Sequence, residues 1–229
     1  MKKIIVGICT RGNDLYYETI KWLMTQVYIE GAITEVVFQP SPYSAAYGQE
    51  KLFKYANEKK ADYLLIVDAD VCPPDGCLQK MIDADKDIVV APAWFYDHKN
   101  DDIHLNISYT GSIKVQERVY QNKLQGLEEI KAASFAVMLV KKRVIDKFVK
   151  SKELFTEWSS MLPKEYKKAF SDNIFFAKAR KFGFKAYVLW EATGAIHYRM
   201  VKLCNKTLAR LMKNCRIIIG KEELKSRYV

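Results

Sequence analysis

At 229 residues, with 49% hydrophobic and 13% aromatic content, the chain carries enough apolar material for one folded domain. No apolar run approaches the roughly 20 residues that cross a bilayer as a helix. The net charge is +10, and +6 of it falls in residues 200–229, where eight Lys and Arg stand against Glu222 and Glu223. Five cysteines without a Cys-x-x-Cys pair argue against a disulfide framework or a zinc site, and for a reducing, cytoplasmic setting.

Strand and helix signals alternate from the start, which predicts a layered α/β domain. Lys3–Cys9 reads as a first strand; its flanking lysines mimic a signal peptide, but the apolar run is too short and meets Arg11 and Asp14 at once. A helix is predicted over Leu15–Tyr28 with Ile20, Leu23, Met24 and Val27 inward, then a strand over Glu35–Gln39. Pro40-Ser41-Pro42 marks a loop before a helix at Tyr47–Glu58, whose Leu52, Tyr55 and Ala56 face the sheet. Tyr63–Asp70 is the central strand, and the prolines at 73 and 74 end it, with Asp75 placed to cap a helix running to Asp83. Asp87–Ala91 is a further strand, followed by Trp94-Phe95-Tyr96. Residues 97–131 read as an irregular β excursion that includes Ser112–Tyr120. Ala132–Val140 is one strand, Val144–Lys150 a helix, and Ser171 the N-cap of a helix Asp172–Phe182 stopped by Gly183. Lys185–Leu189 is the last strand, with Ala192–Arg199 leading out. The tail repeats apolar residues at Val201, Cys204, Leu208, Leu211, Cys215 and Ile218, an amphipathic helix suited to packing, dimerisation or peripheral membrane contact. No linker or repeat divides the chain. Residues 1–229 are therefore expected to be one domain, with 200–229 as a basic C-terminal extension.

The run Tyr63-Leu64-Leu65-Ile66-Val67 has no polar face, as in a strand covered on both sides, and it ends at Asp68-Ala69-Asp70. Period-two alternation predicts both carboxylates on one side at the carboxyl end of the strand, where open α/β sheets bind ligands. Two such groups repel unless a cation lies between them. Hard oxygen donors suit Mg2+ or Mn2+, whose other ligands come from water and substrate phosphates. The expectation is a metal–diphosphate site.

The segment Ala61–Pro74 with Asp87–Pro92, followed by Ser171-Asp172-Asn173-Ile174-Phe175-Phe176 and Gly183, resembles GT-A nucleotide-sugar glycosyltransferases, particularly small family-2-like members, over residues 3–199. That resemblance implies a GT-A three-layer α/β sandwich with a mostly parallel central sheet, here followed by a C-terminal amphipathic helix. It implies a nucleotide-diphosphate sugar donor, with Asp68 and Ala69 at the nucleotide sugar, Asp70 on the metal together with Asp68, and His197 as a further metal or diphosphate ligand. Thr10, Arg11 and Gln39 stand where such enzymes hold the nucleotide, and Asp172 where an inverting enzyme keeps its general base. Trp94, Tyr96 and Trp190 are candidates for stacking on a sugar, although buried aromatic packing is the more frequent role and the one favoured for Trp190. The acceptor stays open among glycan, lipid carrier, protein and nucleic acid. Two departures stand out: Ser171 replaces the usual Glu before Asp172, and Ala45-Ala46-Tyr47-Gly48-Gln49 lacks the Arg of the usual Ala-Arg-Asn element.

Other readings share parts of this pattern. Haloacid-dehalogenase-type phosphatases also place Asp-x-Asp after an apolar strand, but that strand normally opens the fold. Sugar nucleotidylyltransferases have a glycine-rich N-terminal loop that is missing here. A non-catalytic basic module for nucleic acid or membrane would rest on the tail alone. Asp172 could equally serve as a first-turn residue favoured by the helix dipole, and His197 as a loop histidine with ordinary partners.

Overall fold

The computed structural model describes residues 1–10, 15, 17–41, 45–97, 102–105, 107–108, 125–151, 171–192, 195–197, 218–219 and 222–223, with the backbone alone at 46, 94–97, 102–105, 108, 171, 195–197, 218–219 and 222–223. The chain divides into two compact units, Met1–Tyr198 and Arg199–Val229.

The first unit opens with β1 (Lys2–Thr10), α1 (Tyr17–Gln26), β2 (Ala32–Pro40), α2 (Ala45–Glu58) and β3 (Tyr63–Asp68). It continues with β4 (Val71–Cys72), α3 (Cys77–Asp83), β5 (Ile88–Val90), the β6–β7 pair (Ala93–Asp97 and Asp102–Leu105), β8 (Ile107–Ser108) and β9 (Leu127–Ile130). β10 (Ala132–Ala133), β11 (Val137–Lys141), α4 (Lys142–Lys150), α5 (Ser171–Lys181), β12 (Ala186–Leu189) and β13 (Ala195–His197) complete it. The second unit contributes β14 (Ile218–Ile219) paired antiparallel with β15 (Glu222–Glu223).

Seven strands form the main sheet in the order β2-β1-β3-β11-β5-β12-β9. β2, β1, β3, β5 and β12 run one way, and β11 and β9 run against them. Alternation sorts the core into two faces. Ile5, Leu64, Ile66, Val90, Met138 and Val188 pack under Leu52, Phe53, Phe148, Phe175 and Phe176 from α2, α4 and α5. Ile4, Val6, Ile8, Leu65, Val67 and Leu139 pack under Trp22, Leu23, Leu78 and Met81 from α1 and α3. The result is a three-layer sandwich in which the apolar run of β3 is covered twice, as its composition requires.

Several expectations need correction. Thr19, Trp22 and Leu23 form the buried face of α1, whereas Ile20 is 38% and Met24 81% exposed. The face turned because Thr19 and Trp22 bury polar atoms by hydrogen-bonding them to β4 and the loop behind it. The stretch expected as one strand at Ala132–Val140 is two, broken at Ser134-Phe135-Ala136, where Ser134 Oγ accepts from the Ala136 N–H. Asp75 does not cap α3: the N-cap is Gly76, in a left-handed conformation, and its N–H donates to Gln26 Oε1. In the tail, Ile218 lies in a strand, while 201–217 of the expected amphipathic helix lies outside the described residues. Residues 112–120 of the excursion lie outside them too. Among the described residues no helix is long and apolar enough to cross a membrane.

The C-terminal stop of α5 is as expected. Gly183 has φ +84°, its N–H donates to the Arg180 carbonyl and the Phe184 N–H to the Ala179 carbonyl, a Schellman closure. Only Phe184 and Lys185 then separate the turn from β12, so α5 runs back along the sheet with its first turn at the carboxyl ends of the parallel strands.

Candidate functional site

The chain passes from β1 outward to β2 and then crosses back to β3 on the other side of β1. α1, which leaves the carboxyl end of β1, and α2, which returns the chain from the carboxyl end of β2 to β3, lie on opposite faces of the sheet, and a reversal of this kind is where α/β sheets open a ligand crevice. Thr10 ends β1 buried, and its carbonyl accepts from the Ser41 N–H at 2.9 Å. Gln39, beside it on β2, donates its side-chain amide to the Pro40 carbonyl at 2.9 Å. Arg11 lies outside the described residues.

Asp68 is the last residue of β3, paired with Cys9 of β1, and its N–H donates to the Ala136 carbonyl at 3.0 Å. The strand stops there. Ala69 and Asp70 form a turn, all three residues half-buried, so strand alternation does not align the two carboxylates as the sequence suggested. What fixes Asp70 is the ladder that begins at the next residue. β4 pairs antiparallel with β13, with Val71 opposite His197 and Cys72 opposite Ile196. β13 in turn lies parallel to β6, with Ile196 opposite Trp94. A small sheet, β4-β13-β6-β7, thus brings the backbones of His197 and Trp94 to the carboxylate turn from far along the chain; Tyr96 lies two residues on, opposite Ile103. The side chains of Trp94, Tyr96 and His197 are outside the described set. From the other face α1 holds the segment: Thr19 Oγ1 donates to the Val71 carbonyl at 3.0 Å, Trp22 Nε1 to the Pro74 carbonyl at 3.4 Å, and Cys72 Sγ to the Glu18 carbonyl at 3.6 Å.

Asp172 sits in the first turn of α5, half-buried, with its Oδ1 accepting from the Asn173 N–H at 2.9 Å. Burial pushes its pKa above the ordinary carboxylate value; the backbone N–H groups of Asn173 and of Asp172 itself pull the other way and do not cancel it. α5 packs on the sheet face carrying Leu64 and Ile66, which alternation makes the face of Asp68 as well. Asp172 and Asp68 therefore share one face and one end of the sheet.

Neither the scan of family models nor the search of curated proteins gives a match. Solved structures do match. The protein A197 from STIV superimposes with a TM-score of 0.56 at 17% identity over 87% of each chain. A crystal structure of GalNAc-T7 with UDP, GalNAc and Mn2+ superimposes with a TM-score of 0.54 at 8% identity, over 87% of this chain and 44% of that one.

The fold is GT-A-like.

Within this GT-A-like frame the donor chemistry of the edge can be weighed. Asp68 and Asp70, on either side of Ala69, carry hard oxygen donors of the kind that suits Mn2+ or Mg2+, and the backbone of His197 lies opposite Val71, the residue after Asp70. Among the described residues no group of three His, Cys, Asp or Glu is placed to hold a metal ion. Sequence reasoning missed Cys9, the cross-strand neighbour of Asp68, and Ser41 and Gly48, which pack against Cys9. Burial, with the Asp68 charge adding to it, pushes the Cys9 thiol up to about 12 against a hydrogen bond with Ser41. One signal was available: a glycine in the first turns of an otherwise regular helix, where it costs about 1 kcal/mol relative to alanine, marks a close approach.

Proposed function

We propose that the chain is a metal-dependent glycosyltransferase that moves a sugar from a nucleoside-diphosphate donor to a hydroxyl acceptor with inversion at the anomeric carbon. The observation that carries it is the pairing of β4 with β13, which sets His197 opposite Val71 directly after Asp70, at the carboxyl end of a strand in a GT-A-like sheet. Asp68, Asp70 and His197 would hold Mn2+ or Mg2+. Bound there, the ion offsets the negative charge that collects on the departing diphosphate. Thr10, Gln39 and Ala69, at the carboxyl ends of β1, β2 and β3, would serve the donor side, together with Arg11, the residue after Thr10 in sequence. Trp94 and Tyr96, whose backbones lie on β6 next to β13, would be the residues to stack on a sugar.

Asp172 acts on the acceptor. Its carboxylate takes the hydroxyl proton while the acceptor oxygen forms a bond to the anomeric carbon, and the bond from that carbon to the diphosphate oxygen breaks with its electron pair leaving on the nucleotide. The raised pKa makes Asp172 a better proton acceptor than an exposed carboxylate once it is ionised. The neighbour solved with UDP, GalNAc and Mn2+ makes UDP-GalNAc the first donor to test.

The test is a thermal-shift screen of nucleotide sugars with and without Mn2+, followed by transfer assays with Asp70→Asn. Stabilisation by the sugar nucleotide that requires Mn2+, and is lost in Asp70→Asn with the apo melting temperature kept, is the expected result. Full turnover by Asp70→Asn overturns the proposal.

A further inference from the structure

We infer that Cys9, Ser41 and Gly48 form a buried support that fixes the direction of the Asp68 side chain and so sets the metal affinity of the carboxyl-edge site; this rests on the functional reading above. The geometry starts with β1 and β3. Cys9 and Asp68 are register partners on adjacent parallel strands and project from the same face, so the thiol is the lateral neighbour of the carboxylate. Cys9 is 8% exposed and Ser41 3%, and their side chains are hydrogen-bonded. Ser41 is itself pinned. Its N–H donates to the Thr10 carbonyl and its hydroxyl to the Gln39 carbonyl at 3.4 Å, tying the exit of β2 across the end of β1.

Gly48 closes the support from above. A Cβ built there would overlap Ser41 Oγ and stand 3.1 Å from both Cys9 Sγ and Ser41 Cβ. No unusual backbone angle calls for a glycine at 48, so space is the reason for it. Gly7 repeats the device one turn deeper, where a Cβ would meet the Leu52 methyl groups at 2.6 and 2.7 Å. α2 is therefore pressed onto β1 at two glycines, and the pressure falls on the pair that flanks Asp68. A carboxylate at a strand end keeps rotamer freedom unless its neighbours are fixed, and metal sites depend on such supporting contacts about as much as on the ligands, with losses of 10–100-fold when they are removed.

The experiment titrates Mn2+ alone into the full chain, reading free Mn2+ by electron paramagnetic resonance, with melting curves recorded without metal. Gly48→Ala is expected to raise the Mn2+ Kd about tenfold. Ser41→Ala, which removes the hydrogen bond to Cys9, is expected to weaken Mn2+ binding by itself, and adding Gly48→Ala to it is expected to cost little more, because the overlapping oxygen is gone and the remaining 3.1 Å approach needs only a few tenths of an ångström of movement. Cys9→Ala, which leaves the helix contact open, is expected to weaken Mn2+ binding by itself and serves if Gly48→Ala does not fold. A lower melting temperature with unchanged Kd in Gly48→Ala and Cys9→Ala overturns the support while leaving the functional reading intact. Wild-type protein that binds no Mn2+ overturns both.

Discussion

Replacing Thr19 by Val tests how α1 holds the carboxylate turn. Thr19 is 0% exposed, and its hydroxyl donates to the Val71 carbonyl at 3.0 Å across 52 residues of sequence. Valine keeps the shape, so no cavity opens and the cost is the polar term alone. The lost bond is worth about 1 kcal/mol net, and a buried carbonyl deprived of a donor adds about 1 kcal/mol more. The sum of roughly 2 kcal/mol corresponds to a fall of about 4–8 °C in melting temperature for a chain of this size. Urea unfolding followed by circular dichroism measures it. Ile20→Thr and Met24→Gln, on the exposed side of the same helix, are controls expected to stay within about 0.5 kcal/mol. A neutral Thr19→Val beside a destabilising Met24→Gln would refute the assignment of the inward face and the hydrogen bond together.

Asp172 must be ionised to accept a proton, and burial raises its pKa, so the acid limb of kcat/KM should lie above the usual carboxylate range and vanish with the activity in Asp172→Asn. The stability sign runs opposite to that of a salt-bridged carboxylate: the raised folded pKa favours the native state at low pH, and this contribution is lost as pH rises through that pKa, so Asp172→Asn should be no less stable than wild type at pH 7. Gly183→Ala should cost about 1 kcal/mol in urea unfolding through its positive φ alone, since a Cβ there meets nothing within 4 Å; a neutral result would contradict the left-handed turn. Cys9 and Cys77, both pushed up to about 12 chiefly by burial, should resist iodoacetamide at pH 8 in the folded chain while the half-buried Cys72 reacts, as peptide mapping by mass spectrometry would show.

The strands of the parallel half were legible because burial on both faces leaves an unbroken apolar run, as in Tyr63–Val67, and the helix after Ser171 because glycine closes it. Strand direction leaves no such mark. β11 is as apolar as β3, and nothing in Val137-Met138-Leu139-Val140 reveals that it runs backwards between β3 and β5. The face of α1 was misjudged because apolar spacing ranks Ile20 and Met24 above Thr19, whereas burial of Thr19 depends on an acceptor 52 residues away. The site shows the same divide. Asp68, Asp70 and Asp172 announce themselves by residue type and local position, but the register that sets His197 opposite Val71 belongs to two short strands with no periodic signature.

The ends of the strands explain why the carboxylates stand where they do. β1 continues one residue past the last pairing with β3: Cys9 is opposite Asp68, while Thr10 has a partner only in Pro40 on the other side. The sheet edge therefore steps down at β3, and the step sits at the point where the chain reverses its direction of strand addition. On the far side of β3, Ala136 precedes the first residue of β11, and its carbonyl takes the Asp68 N–H as the final bond of that edge. With Asp68 held by backbone on one side and by Cys9 on the other, the chain can turn sharply at Ala69-Asp70 and enter a different sheet at Val71. A continuous strand would have carried Asp70 up out of the notch. Ending the strand at Asp68 keeps both carboxylates at this step, at the same end of the sheet as Thr10, which is where the proposed diphosphate would have to lie.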